Sequence, residues 1–138
     1  MPEQLRAIDA NVFLRYLLND IPEQAERARS LIESEQPLGV TVIALAEVGW
    51  TLTGPRHKLG RAAVATQLIK LLSRENIVPL GFDKAEAQST LAACTYRSRA
   101  ANLGDALIAA CARTAGVHEI YSFDRRFLRA GLTPFPPP

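Results

Sequence analysis

The chain has 138 residues, 48% of them hydrophobic, and a formal net charge of +2. This length is typical of one compact domain with a core of its own. This net charge is too small to indicate nucleic-acid binding by itself, and only a local basic patch could support such binding. We therefore expect a single domain over residues 1–138, with a proline-rich tail at residues 135–138.

We expect the protein to be neither exported nor inserted into a membrane. Residues 1–4 lack the basic and apolar regions of a signal peptide. The longest uncharged run, near Gly39–Ala46, is too short to span a bilayer. Cys94 and Cys111 form no C-x-x-C motif and are expected to be buried free thiols, which suits a reducing cytosol. These features predict a cytoplasmic protein that makes no membrane contact.

The first half of the chain alternates short apolar runs with amphipathic stretches. Leu5–Asp9 is predicted to be a strand, and Asn11 is expected to cap the helix that follows. Pro22 suits the first turn of a second, amphipathic helix. A short link or strand at Pro37–Val40 leads to Thr41, the expected cap of a third helix.

The third predicted helix, Val42–Leu52, is apolar at nearly every position except Glu47. Burying an unpaired carboxylate is costly, so this acid needs either a function or an arginine partner. A basic break at Gly54–Gly60 ends the helix, and a fourth helix follows it.

The second half repeats the alternation of strands and helices. Ile77–Leu80 is a predicted strand, and Asp83 with Glu86 forms a capping box for a fifth helix that extends to about Thr95. The next elements are a buried sixth helix, a strand, a basic helix and a last strand, predicted at Ala106–Ala115, Glu119–Phe123, Arg125–Arg129 and Leu132–Phe135. This order predicts an α/β fold with a short parallel central sheet flanked by helices on both faces.

Four acids stand where such a fold places ligand sites. Asp9 and Asp124 each follow a predicted strand, Asp105 lies at a helix start, and Glu47 lies in an apolar helix. Several carboxylates that meet repel one another unless a cation lies among them. Carboxylates with water suit Mg²⁺ or Mn²⁺, which can activate water for phosphodiester hydrolysis. The alternative is structural, because each aspartate could simply cap a helix.

Two related enzyme classes fit the sequence less well. A phosphatase with an aspartate nucleophile would need a second acid two residues after Asp9, where this chain has Asn11. A phospho-receiver domain would need a lysine after a late strand, and no lysine follows Lys84. A binding module that uses its groove only for RNA or protein is the non-enzymatic alternative.

The chain resembles the PIN-domain family, and within it the VapC-type toxins of toxin–antitoxin pairs. The similar segments occur in family order and span almost the whole chain. They are Ile8-Asp9-Ala10-Asn11-Val12, Ala46-Glu47-Val48, Leu103-Gly104-Asp105-Ala106-Leu107-Ile108-Ala109-Ala110 and Tyr121-Ser122-Phe123-Asp124-Arg125-Arg126-Phe127.

This resemblance implies an Mg²⁺- or Mn²⁺-dependent endoribonuclease that acts as the toxin of such a pair. It implies a homodimer and an antitoxin that covers the active groove. The metal or its waters would be held by Asp9, Glu47, Asp105 and Asp124. In the same reading Asn11 orients the first acid and Ser122 offers a hydroxyl beside the last; Ser122 and Gly104 stand where relatives often have threonine and alanine. A catalytically silent PIN-like module that binds RNA or protein is the alternative.

An RNA substrate, with tRNA among the candidates, needs positive charge along its path. The RNA-binding candidates are Arg15, Arg97, Arg99, Arg125 and Arg126. Trp50 is expected either to help bind a partner or to belong to the core.

Overall fold

The computed structural model describes residues 4–93 and 102–138. Short strands alternate with longer helices in the described chain. The strands are β1 (Arg6–Ala7), β2 (Leu38–Thr41), β3 (Ile77–Leu80), β4 (Glu119–Tyr121) and β5 (Thr133–Phe135). The helices are α1 (Ala10–Leu18), α2 (Pro22–Ile32), α3 (Val42–Thr53), α4 (Arg61–Leu72), α5 (Lys84–Ala93) and α6 (Leu103–Thr114), followed by a 3₁₀ helix (Arg125–Ala130).

The strands form two parallel ladders. β1, β2 and β3 lie in that order in a three-stranded sheet, and β4 pairs with β5 in a two-stranded one. The predicted α/β fold with a short parallel sheet flanked by helices is confirmed, although its hydrogen bonds divide it into two pieces. β1 is shorter than the predicted strand Leu5–Asp9, because Asp9 already turns to cap the next helix while Ile8 still donates to the Gly39 carbonyl at 2.8 Å.

A continuous apolar core lies between the sheet and the helices. Its fully buried members include Phe13, Leu45, Leu68 and Leu107. A second, smaller cluster joins α6 to the 3₁₀ helix and to Leu132, two residues beyond its end; it consists of Ala109, Phe127, Ala130 and Leu132. The 3₁₀ helix therefore packs alongside α6, which carries one of the candidate acids at its start.

Two of the predicted helix starts have the expected chemistry. Thr41 caps α3, and its hydroxyl accepts a hydrogen bond from the Ala44 N–H at 3.1 Å. Asp83 accepts from the Glu86 N–H at 2.9 Å, as the first half of a capping box requires. The second half is absent, because the Asp83 N–H donates to the Thr114 hydroxyl and Glu86 pairs with Arg113 instead.

The prediction that Asn11 caps α1 is wrong. Asp9 is the cap, and its carboxylate accepts a hydrogen bond from the Asn11 backbone N–H. Aspartate is as good a cap as asparagine, and the chain leaves β1 early enough for Asp9 to take that position. Asn11 consequently lies in the first turn of the helix, with its side chain exposed.

One predicted helix boundary and one predicted burial also differ. The sixth helix begins at Leu103, three residues before the predicted start, because Asn102 is its cap. Cys111 is only half-buried, and the prediction for Cys94 lies outside the described residues. Within the described ranges, every helix falls short of the length and apolar character that crossing a bilayer requires.

Candidate active site

Asp9 is held at the end of β1 by the geometry of its helix cap. Its backbone is extended, and its carboxylate receives the Asn11 N–H at the first turn of α1. The backbone of Asn11, rather than its side-chain amide, therefore makes the contact that orients this acid. Asp9 is otherwise exposed to solvent.

Asp105 lies in the first turn of α6. The Asn102 side chain accepts the Asp105 N–H at 2.8 Å and so caps the helix beneath the acid. Partial burial raises the pKa of Asp105 above its usual value, and the negative charge of Asp124 raises the pKa further. The positive charge of Arg126 and the bond to Asn102 act in the opposite direction. Asp105 and Asp124 are thus close enough to sense each other's charge.

Asp124 caps the 3₁₀ helix and is bound by Arg126. Its carboxylate accepts the Arg126 backbone N–H at 2.9 Å. The Arg126 side chain also binds it, with Nη2 2.6 Å from Oδ2 and Nε 3.0 Å from each oxygen. These bonds hold the pKa of Asp124 below its usual value. Ser122 completes the turn, because its hydroxyl accepts the Asp124 N–H at 2.9 Å.

Glu47 lies on the exposed face of α3, so the expense of burying an unpaired carboxylate does not arise. Among residues 4–93 and 102–138 it has no ion-pair partner. Trp50, one turn further along the same helix, shares its face. The Trp50 indole lies against Gly104: a Cβ built on that glycine would stand 3.0 Å from the indole nitrogen. The face of α3 that carries Glu47 therefore borders the start of α6.

The acids are only partly assembled. Asp105 and Asp124 form an interacting pair, whereas the described residues contain no group of three or more His, Cys, Asp or Glu side chains placed to hold a metal ion. The pair itself fits a hard divalent cation in its chemistry, because carboxylate oxygens are what Mg²⁺ and Mn²⁺ prefer. It also fits in its electrostatics, since the charge of Asp124 opposes ionisation of Asp105 and a cation would relieve that repulsion.

The basic residues predicted to contact RNA have different surroundings. Arg126 binds Asp124, and Arg15 forms an ion pair with Asp20 at 2.8 Å. Arg125 is exposed next to the acid pair. Arg97 and Arg99 lie outside the described residues. A groove with a volume of about 530 Å³ lies between α1 and α2, and its lining combines apolar and basic side chains: Asn11, Val12, Arg15, Gln24, Arg27, Ala28 and Leu31.

Two features of this site were missed from the sequence. One is the ion pair between Asp124 and Arg126. The sequence does contain a signal for it, because the two residues are two positions apart at the start of a helix. The other is the contact between Trp50 and Gly104, for which the sequence has no local signal because the two residues belong to different helices.

Comparison with known proteins identifies one family. The PIN domain matches the chain over residues 7–132, a span that contains all four candidate acids. No curated protein and no solved structure matches the chain. The PIN domain is a nuclease-like fold, and the strand and helix order described above is consistent with a single copy of it. The chain belongs to the PIN-domain family.

Proposed function

We propose that this protein is a metal-dependent endoribonuclease that hydrolyses RNA phosphodiester bonds. The observation that carries the proposal is the proximity of Asp105 and Asp124, which come from separate elements of a PIN domain and lie near enough for the charge of Asp124 to raise the pKa of Asp105. PIN domains are generally nucleases and usually bind divalent metal ions. A pair of interacting carboxylates is the feature of this chain that such chemistry requires.

In this proposal Mg²⁺ or Mn²⁺ is held by Asp105 and Asp124, with Asp9 and Glu47 supplying further oxygens directly or through water. The bound ion would lower the pKa of a water molecule and stabilise negative charge on the phosphoryl group. Asp105 is suited to a cation because burial and the neighbouring charge of Asp124 both disfavour its ionised form in the absence of one.

The remaining residues of the site hold these acids in position. The Asn11 N–H and the Ser122 hydroxyl fix the turns that carry Asp9 and Asp124. Arg126 neutralises Asp124 and places a guanidinium beside the acid pair, where a phosphate of the substrate would pass. A guanidinium can bind a carboxylate or a phosphate with the same fork of donors.

The biological role that we propose is that of a cytoplasmic toxin in a toxin–antitoxin pair. The similarity of the four acid-bearing segments to VapC-type toxins supports this role. The groove between α1 and α2 supports a peptide partner, because it adjoins Asn11 and presents apolar and basic side chains together. A homodimer belongs to the same proposal and rests on the family resemblance.

The second candidate function is a catalytically silent module that binds RNA or protein. Two observations favour it. Arg126 already neutralises Asp124, and the described residues hold no group of three acids placed for a metal. In this reading the ion pair is a structural cap of the 3₁₀ helix, and the basic residues bind without cleaving.

The test is cleavage of labelled total RNA and of a tRNA pool by the purified protein, free of antitoxin, with Mg²⁺, with Mn²⁺ and with EDTA. Asp9→Ala and Asp105→Asn are the test variants. Asp83→Asn is the matched control, because Asp83 also caps a helix but contacts Thr114 at the far end of α6.

Metal-dependent cleavage at discrete sites, lost in both test variants and retained in Asp83→Asn, is the expected result. Binding of the same RNA without cleavage at any metal concentration would favour the silent module. Cleavage that persists in EDTA, or in Asp105→Asn, would overturn the proposed chemistry.

A further inference from the structure

Trp50 is an aromatic residue that lies outside the hydrophobic core. Its side chain is 60% exposed, although it belongs to α3, one of the central helices. Neighbouring residues of the helix, Val48, Gly49 and Leu52, are buried, so the indole lies on the face that α3 turns away from the core. An exposed indole forgoes much of the stabilisation that burial of so large an apolar side chain would contribute.

The indole has a defined position beside the candidate acids. It lies against the backbone of Gly104, with Nε1 3.0 Å and Cζ2 3.4 Å from the position of a glycine Cβ. Gly104 directly precedes Asp105, and Glu47 lies one turn before Trp50 on the same helix face. The ring therefore contacts the residue before Asp105 and shares a helix face with Glu47, and part of its surface is open to solvent.

Gly104 makes this arrangement possible. Glycine lowers helix stability relative to alanine, and this glycine occupies the first turn of α6 without a positive φ. Instead, the lack of a side chain lets the indole pack closely, because a Cβ at this position would lie 3.0 Å from Trp50 Nε1 and 3.3 Å from Asn102 Oδ1. Gly104 and Trp50 thus form a matched pair across two helices.

We propose that Trp50 is a stacking platform for a base of single-stranded RNA next to the bond that is cut. The inference rests on the proposed function and adds a specificity residue to it. Single-stranded nucleic acids are held by aromatic rings on which bases stack, next to basic groups that follow the backbone. Here the ring contacts the residue before Asp105, Arg126 binds Asp124, and the neighbouring Arg125 is exposed. A second exposed ring, Phe123 at 86%, directly precedes Asp124.

The fluorescence of Trp50 reports on this proposal directly, because it is the only tryptophan in the chain. The experiment titrates the full-length protein in EDTA with a fluorophore-labelled, single-stranded oligoribonucleotide and records tryptophan emission together with anisotropy of the label. A strand of the same length with abasic positions is the comparison. Neither signal requires metal or cleavage, so the result is independent of whether the protein proves to be a nuclease.

Stacking predicts quenching of Trp50 that follows binding of the strand with bases and is much weaker with the abasic strand. Binding seen by anisotropy without quenching would overturn the proposal. Equal quenching by both strands would also overturn it, because the phosphates alone would then explain the signal. A change in emission that depends only on protein concentration would assign the ring to contact with a second copy of the chain.

Three variants make the proposal specific. Trp50→Leu should weaken RNA binding and raise KM about tenfold, which is within the range measured for loss of one base–aromatic stack. Trp50→Phe should retain most of the affinity because it keeps an aromatic face. Gly104→Ala should shift the indole slightly and weaken RNA binding less than Trp50→Leu does, although alanine favours the helix.

Val117→Ala is the control, because Val117 is 49% exposed beyond the opposite end of α6. It should leave RNA binding and KM unchanged. Full affinity in Trp50→Leu would contradict a stacking role, whereas cleavage that fails in every variant and in the parent would contradict only the nuclease.

Discussion

Arg126 binds Asp124 side-on, with guanidinium Nη2 2.6 Å from Oδ2 and Nε 3.0 Å from both carboxylate oxygens. The ion pair is half exposed at the arginine and about one third exposed at the acid. Its importance therefore lies in its position beside Asp105 rather than in stability, because ion pairs of this exposure contribute little to folding.

Removal of the Arg126 charge should strengthen metal binding. Arg126→Gln leaves Asp105 and Asp124 without their neighbouring cation, and the affinity for Mn²⁺ should rise about fivefold because the guanidinium charge no longer opposes the ion. Isothermal titration calorimetry with Mn²⁺ at pH 7 measures it. Arg125→Gln is the control, and equal affinity in the two variants would contradict the expectation.

Asp105 should destabilise the metal-free protein as pH rises. Its pKa is raised in the folded state, so the folded protein retains a proton over a pH range in which the unfolded chain has lost it. Stability therefore falls as pH rises from the ordinary aspartate range through the raised pKa of Asp105. Thermal unfolding of Asp105→Asn in EDTA should show a Tm about 2–4 °C above the parent at pH 7 and no difference at low pH.

The same measurement has a control in Asp83→Asn, which should not gain stability at pH 7. Addition of Mn²⁺ should raise the Tm of the parent but not of Asp105→Asn, because a ligand that binds only the folded state stabilises it. A parent that is more stable than Asp105→Asn at every pH in EDTA would show that the acid is compensated by other contacts.

Arg113 should be a major structural residue outside the acid pair. Its Nη2 lies 2.9 Å from Glu86 Oε2, which is a buried atom, and its Nη1 donates to the Ala130 carbonyl at 3.3 Å. Arg113→Met should lower the free energy of unfolding by about 1–3 kcal/mol, because it leaves the Glu86 carboxylate without its partner. In a double-mutant cycle with Glu86→Gln by urea unfolding, the two losses should not add. Additive losses would contradict the coupling.

The cap of α3 should contribute measurably to stability. Thr41→Ala removes the hydroxyl that accepts the Ala44 N–H and should cost about 1 kcal/mol. Thr41→Ser retains the hydroxyl and should lie within a few tenths of the parent. Urea unfolding measures both variants, and an equal loss in the two would assign the effect to the Thr41 methyl group.

Local chemistry explains what could be predicted from the sequence. The caps at Thr41 and Asp83 depend on neighbours three residues away, so the printed sequence contains all the information they need. The prediction that Asn11 caps α1 is wrong because Asp9 and Asn11 have the same capping chemistry. The choice between them depends on where β1 ends, and that is decided by its pairing with β2.

The sequence predicts four candidate acids but not the contacts between them. The ends of strands and helices gave the positions of Asp9, Asp105 and Asp124, and the structure brings the last two together. Their orientation depends on long-range packing. The contact of Trp50 with Gly104 joins residues of α3 and α6, and no periodicity in either helix reports it.

Because the 3₁₀ helix packs along α6, the distance between Asp105 and Asp124 depends on the lengths of these two helices. Asp105 and Asp124 adjoin at one end, and Arg113 holds the Ala130 carbonyl at the other. From Asp105 to Arg113 the α-helix rises about 12 Å, and from Arg125 to Ala130 the 3₁₀ helix rises about 10 Å. The two helices therefore have similar lengths between these contacts. An inserted or deleted residue in either helix would move Asp105 and Asp124 apart while both helices remained intact.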